Sequence, residues 1–339
     1  MDIETKINLI KNGSVELVDI LTEKELIRLL ETKQHPISYW GIATSGPLHI
    51  GYLKPINKQL DLLRAGFKHK VLIADIHAYL DDIKCPWDLL EIRTKYYKKC
   101  LELLLPEKVE FIIASSFQTS EKYIKDLYKA LALVTTNRAL RAASEICRIK
   151  GTPHVSELTY PLLQVIDQIY LNVDISYGGL DQRHAYALGR ELIPKLGYKN
   201  APVSIFTDRS PGLLKNTNMS ASQPNTTIQL HESEYEIENK INRAYCPEKI
   251  IEKNPIIEIV KYFIFPRIKE FKIERDKKFG GDISFKVYRN LEEQYVNGKI
   301  HPLDLKKATS KYLIEILKPI RQYFKKYNQL ITDSFPGGY

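Results

Sequence analysis

The sequence predicts an α/β fold built on a doubly wound parallel sheet, and three observations carry that prediction. Short apolar runs of strand length at 36–42, 71–77, 109–114, 173–177 and 202–207 alternate with longer amphipathic helical stretches. The first run ends in turn chemistry, Ser45-Gly46-Pro47, from which a helical pattern opens at Leu48. The fourth ends in Gly178-Gly179, followed by a cluster of polar side chains. Ligands of such sheets bind outside the carboxyl ends of the strands, which is where both loops fall.

Taken in order, residues 1–31 read as amphipathic helix, with Thr22, Glu23 and Glu25 opening a second helix toward Leu30. After the first strand, residues 39–51 (YWGIATSGPLHIG) bring His49 to a helix start, where free N–H groups and the helix dipole favour a phosphate. A histidine there can donate to an oxygen that gains charge, and Gly51 allows close approach to the backbone. A satisfied surface histidine in an ordinary loop fits the same four residues, HIGY. The helix runs to Leu63 and stops at Ala65-Gly66. Helices follow at 89–105, 121–134, 137–148 and 155–171, the last with Tyr160, Gln164 and Asp167 on one face. That stripe is either a solvated edge or a pocket lining. Gly179, Asp181, Gln182 and Arg183 lie at the next strand's carboxyl end. The loop 210–223, SPGLLKNTNMSASQ, has the composition of a mobile segment able to close on a polyphosphate, or of a plain connector. Helices dominate afterwards, at 233–244, 255–265, 291–297 and 302–327, with a kink expected at Pro319 and a disordered tail, SFPGGY.

With 339 residues and 44% hydrophobic content the chain can bury a large core, and its length suggests two domains. The scattered Cys85, Cys100, Cys147 and Cys246 form no metal-binding pattern and read as reduced thiols. No charged-then-apolar leader begins the chain, and the run 256–265 is broken by Glu258 and Lys261, so a cytoplasmic protein without a membrane span is expected. From Glu236 onward 21 Lys and Arg face 14 Asp and Glu, so +7 of the net +9 lies in the last third. That bias fits a nucleic-acid partner, and also merely solvated helices.

The ordered set of YWGIATSGPLHIGYL, LIADIHAYL, YPLLQVIDQIYL, VDISYGGLDQRHAYALGRELIP, NRAYCP, KFGGDI and IHPLDLKKA resembles the class I aminoacyl-tRNA synthetases. Within them it resembles the tyrosyl-tRNA synthetases of the archaeal and eukaryotic type, over roughly residues 37–317. The resemblance implies a Rossmann-like catalytic domain at 37–232 with inserted dimerisation helices, behind an N-terminal helical cover at 1–36. A helix-dominated anticodon-binding domain at 233–330 and a tail at 331–339 complete it. It implies that tyrosine attacks the α-phosphate of Mg-ATP (Mg²⁺ with ATP), after which the tyrosyl group passes to the terminal adenosine of tRNA(Tyr). It also implies a homodimer built through the helices around 137–171.

Residue by residue, the resemblance assigns His49, Ser220 and Ser222 to the phosphates, and Gly41, Gly51, Gly179, Asp181 and Met219 to the nucleotide. Tyr39 and Asp167 go to the substrate phenol, with Tyr160, Gln164 and Gln182 at its ammonium group. Ala74, His77, Phe117 and Gln118 fall where the family lines the ring. Arg183 is implied at the acceptor end, and Phe279, His301 and Asp304 at the anticodon's first base. Phe279 read alone is equally a core residue, and Asp304 a helix N-terminal charge. Two departures stand out: Tyr52 ends the HIGH-like box, and Asn218-Met219-Ser220-Ala221-Ser222 lacks the leading lysine of a KMSKS-like box. Lys215, three residues earlier, is the candidate replacement charge. A tryptophanyl-tRNA synthetase and a non-catalytic RNA-binding paralogue are the alternatives.

Overall fold

The computed structural model describes residues 1–149, 151–199 and 201–338. Helix α1 (Ile3–Asn12) is capped by the Asp2 carboxylate, which accepts from the Thr5 N–H at 2.7 Å. Between it and helix α2 (Glu23–Thr32) lies strand β1 (Asp19–Leu21), so the segment expected to be wholly helical contributes to the sheet. Three residues are too few to show a period, which is why the strand escapes a pattern-based reading. Thr22 and Glu25 form a reciprocal capping box at the start of α2, where the sequence signals it.

Strand β2 (Ile37–Ala43) leads through a single 3₁₀ turn, Ile50–Tyr52, into α3 (Leu53–Arg64), and Gly66 at φ 95° closes that helix. Strand β3 (Lys68–Ala74) stops earlier than its apolar run: Asp75, Ile76 and His77 belong to helix α4 (Asp75–Leu80). Buried strand and buried helix are both continuously apolar, so the run alone cannot mark the change. Then follow α5 (Leu90–Glu102), β4 (Glu110–Ile113), α6 (Ser115–Gln118), α7 (Glu121–Leu133), α8 (Thr136–Ala143) and α9 (Val155–Tyr170). Strand β5 (Ile175–Gly179), α10 (Arg183–Lys195) and β6 (Val203–Thr207) complete the sheet.

The six strands lie in the order β1-β6-β5-β2-β3-β4, with β1 antiparallel and the other pairs parallel. The winding therefore reverses between β2 and β5, the position at which doubly wound sheets open a crevice. Tyr39, Leu72, Ala74, Ala114, Tyr186 and Phe206 pack together beside that point.

The chain forms two compact units, Met1–Gly46 with Lys58–Asp208, and Pro47–Asn57 with Arg209–Tyr339. The second holds α11 (Glu234–Arg243), α12 (Pro255–Glu258), an antiparallel hairpin of β7 (Phe271–Ile273) and β8 (Ile283–Phe285), and α13 (Tyr288–Val296). Helix α14 (Pro302–Lys326) runs uninterrupted through Pro319, and α15 (Gln329–Ser334) follows it. The tail expected to be disordered is thus ordered in its first residues, because Ser334 ends a helix and Phe335 is buried. Tyr339, the end of that tail, lies outside the described residues. Among the described residues no helix is long and apolar enough to cross a membrane.

Candidate active site

Asp167 is the centre of a polar cluster in the first unit. It sits on α9 with 1% exposure, and its Oδ1 accepts from the Gln118 amide at 2.8 Å and the Tyr123 hydroxyl at 2.7 Å. Its Oδ2 has no hydrogen-bond donor; His77 Nε2 stands 3.6 Å away, beyond bonding reach. Burial pushes the Asp167 carboxyl up to about 7, against the two donors that lower it, and holds His77 down near 3. His77 is therefore neutral and forms no ion pair with it.

Tyr39, fully buried on β2, shares a long hydroxyl contact of 3.3 Å with Tyr186 on α10. The Tyr160 ring meets that of His77 edge-on, with centroids 4.6 Å apart. One turn before Asp167 on α9, the Gln164 amide donates to Gln182 Oε1 at 3.0 Å, and Gln182 donates to Asp181 Oδ2 at 3.1 Å. Gly179 makes that arrangement possible, since a Cβ there would stand 2.3 Å from Asp181 Oδ1. Three buried acceptors of this cluster remain unpaired: Asp167 Oδ2, Gln118 Oε1 and Gln164 Oε1. Such a set costs free energy until a ligand brings donors.

Ala74 and Phe117 pack in the same cluster as Tyr39. Gly41 is the exposed residue of β2, and a Cβ there meets only Tyr39 Cε2 at 3.6 Å, so sterics alone do not demand glycine. Arg183 pairs with Asp19 of β1. Sequence reasoning missed Tyr123 and Tyr186. The second carried a faint signal, standing four residues after Gln182; the first carried none.

In the second unit, His49 caps the 3₁₀ turn, and the Gly51 N–H donates to its Nδ1 at 3.2 Å. Burial lowers the ring's pKa to about 4, so it is neutral near pH 7. With Nδ1 accepting, the proton sits on Nε2, which makes that nitrogen a donor. Gly51 serves this geometry: a Cβ there would lie 2.9 Å from the His49 ring and 3.1 Å from Met219 Sδ. The flanking residues pair with the chain beyond the loop 210–223 (the serine loop), Ile50 N–H donating to Ile228 O at 2.8 Å and Leu230 N–H to Leu48 O at 2.9 Å.

The loop expected to be mobile is partly organised. Pro211 bridges Asn218, the Gly212 N–H donates to Thr217 O at 2.8 Å, and Ser220 and Ser222 share a hydroxyl contact of 3.0 Å. Asn218 and Lys215 are exposed, and the Lys215 ammonium lies 5.5 Å from the centroid of Tyr245. Farther along, Phe279 is 63% exposed in a 3₁₀ turn, which removes its reading as a core residue. His301 caps α14 by accepting from the Leu303 N–H at 3.2 Å, and Asp304 lies in that helix's first turn. Among the described residues no group of three or more His, Cys, Asp or Glu is placed to hold a metal ion.

The family model for tRNA synthetases class I (W and Y) matches residues 31–318. The chain is 41% identical over 324 residues to a tyrosine--tRNA ligase of Methanopyrus kandleri, covering 95% of this chain and 98% of that protein. It is 44% identical over 305 residues to a tyrosine--tRNA ligase of Methanococcoides burtonii, covering 89% and 95%. The crystal structure of a tyrosyl-tRNA synthetase from Archaeoglobus fulgidus complexed with L-tyrosine superposes with a TM-score of 0.89 at 40% identity, covering 95% of this chain and 99% of that one.

Proposed function

The chain belongs to the class I tRNA synthetases (W and Y), and we infer that within them it is a tyrosine-tRNA ligase, which activates tyrosine with ATP and charges tRNA(Tyr). The observation that carries this reading is the trio of unpaired buried acceptors in the cluster around Asp167, namely Asp167 Oδ2, Gln118 Oε1 and Gln164 Oε1. Tyrosine supplies what the set lacks. Its phenol O–H donates to Asp167 Oδ2 and meets the hydroxyl of Tyr39, and its ammonium group donates to Gln164, Gln182 and Tyr160. Phenylalanine would leave Asp167 Oδ2 unpaired, which is how a site reaches discrimination on the order of 10⁴ to 10⁵ without editing.

The substrate's own carboxylate is the nucleophile at the α-phosphate of ATP, so the protein's task is positioning and charge stabilisation. His49 donates through Nε2–H to the phosphate as charge builds. Ser220, Ser222 and the backbone at Met219 hold the leaving pyrophosphate, with Lys215 as its mobile cation. Gly41 and Gly51 border the nucleotide, and Asp181, ahead of Gly179's close turn, accepts from its ribose hydroxyls. Mg²⁺ arrives on the triphosphate as part of the substrate.

For tRNA, Arg183 addresses the acceptor end. In 233–330, the exposed Phe279 stacks on the first anticodon base while His301 and Asp304 meet its edge. The protein acts as a homodimer: Tyr128, Leu131 and Leu133 of α7, Leu140 of α8 and Val155 of α9 are all exposed apolar side chains, a composition suited to a second copy. Pyrophosphate exchange into ATP, run with each of the twenty amino acids, tests the reading. Exchange driven by tyrosine is the expected result; exchange driven by tryptophan, or by none, overturns it.

A further inference from the structure

Two charged contacts in the second unit hold the two ends of the serine loop, and neither involves a residue the motifs single out. At the entrance, Glu258 of α12 accepts on Oε1 from both Lys54 Nζ at 2.7 Å and Ser210 Oγ at 2.9 Å. Lys54 is the second residue of α3, directly after the turn that carries His49, and its ammonium also lies 4.2 Å from the Tyr262 ring centroid. One carboxylate oxygen therefore joins the histidine turn's helix to the start of the loop.

At the exit, Lys240 of α11 donates to Pro224 O at 2.9 Å, Thr227 O at 3.0 Å and Glu232 Oε1 at 2.5 Å. Those three acceptors use every proton of the ammonium. Glu232 Oε1 also accepts from the Gln229 N–H at 3.1 Å, and Gln229 forms a bridge with His49. The exit of the loop and the histidine turn are thus tied to the same lysine. One partner of each pair is nearly buried, Lys54 at 7% and Glu232 at 9%, with Glu258 at 18% and Lys240 at 21%, so these are partly shielded, charge-assisted bonds.

We propose that Glu258 and Lys240 are positioning residues for the activation step, holding the serine loop and the His49 turn in one register so that both address the same triphosphate. This rests on the tyrosine-tRNA ligase reading. Neither residue is assigned to touch substrate, so each acts on the rate of adenylate formation and not on the affinity for tyrosine. A displacement of about 1 Å at a reacting centre costs roughly 10²-fold, which sets the scale to look for.

The test is tyrosine-dependent pyrophosphate exchange, tyrosine binding and thermal unfolding on the full chain as Glu258→Gln, Lys240→Met, Lys240→Arg and Ser210→Ala. We expect kcat to fall by about tenfold or more in the first two, with the tyrosine Kd within about twofold of the parent and partial recovery in Lys240→Arg. Ser210→Ala removes a single hydroxyl and spares the fold; it should lower kcat alone but add nothing in a Glu258→Gln background, because both break one bridge. If the parent is active and the folded variants match it within about twofold, the positioning role is wrong while the ligase reading survives. Additive losses in the double variant, or losses that follow only the unfolded fraction, also overturn it. An inactive parent overturns the ligase reading and this inference with it.

Discussion

The Tyr123 hydroxyl donates to Asp167 Oδ1 at 2.7 Å, and the Gln118 amide joins it on the same oxygen, so the other carboxylate oxygen is the one left for a ligand. A residue of α7 thereby leaves Oδ2 as the oxygen of Asp167 open to a donor, the phenol in the proposed reading. Asp167→Asn and Tyr39→Phe should each reduce the preference for tyrosine over phenylalanine by roughly 10- to 100-fold, with ATP binding nearly unchanged. The ratio of kcat/KM for the two amino acids in pyrophosphate exchange measures this. Unaltered selectivity in both variants would mean the phenol is read elsewhere.

Asp167 also sets a pH dependence. Its folded pKa of about 7 lies above the ordinary value of 3.8, so between those values the ligand-free folded protein holds a proton that the unfolded chain has released. Stability therefore falls as pH rises through that window and stays lower above it. Asp167→Asn should raise the Tm of the ligand-free protein by several degrees at about pH 8 and leave it unchanged at about pH 4. Because a phenol donor favours the ionised carboxylate, tyrosine should bind more tightly as pH rises from about 6 to about 8. Calorimetry showing proton uptake on binding near neutrality would contradict that.

The Lys215 ammonium lies 5.5 Å from the Tyr245 ring centroid, a contact worth roughly 0.5–1 kcal/mol at an exposed site and readily exchanged for a stronger one. Lys215→Ala should slow adenylate formation by roughly three- to tenfold with little change in tyrosine affinity, since the charge matters as pyrophosphate departs. Single-turnover kinetics decide it. An unchanged rate leaves the serine hydroxyls and backbone donors to act without a lysine.

Phe279→Ala and Asp304→Ala should each weaken charging of full-length tRNA by roughly 1–3 kcal/mol and leave pyrophosphate exchange alone. Equal damage to both reactions would indicate a misfolded second unit instead.

The exposed leucines of α7 and α8 give the proposed dimer its own check. A Leu133→Glu, Leu140→Glu double variant should elute as a monomer by size exclusion with light scattering, while the parent elutes as a dimer. A monomeric parent would remove the assembly proposal.

Much of this protein was determined by its sequence alone. Alternating strand and helix patterns led to a doubly wound sheet, and the Thr22 capping box and the Gly66 stop bound their helices, while the motif order proposed Tyr39, His49, Asp167 and Asp181 as site residues. The patterns and caps are local: each depends on residues within a turn or two, where periodicity and capping chemistry are written directly. The tertiary structure decided the rest. It gave β1 to the sheet edge, ended β3 before His77, and chose which oxygen of Asp167 stays unpaired. It also joined Lys54 to Glu258, 204 residues apart, and drew Lys240 to the loop's exit. Hydrogen bonds between distant residues leave no periodic trace in a chain, because their partners are selected only when packing brings the two segments together and excludes water from between them.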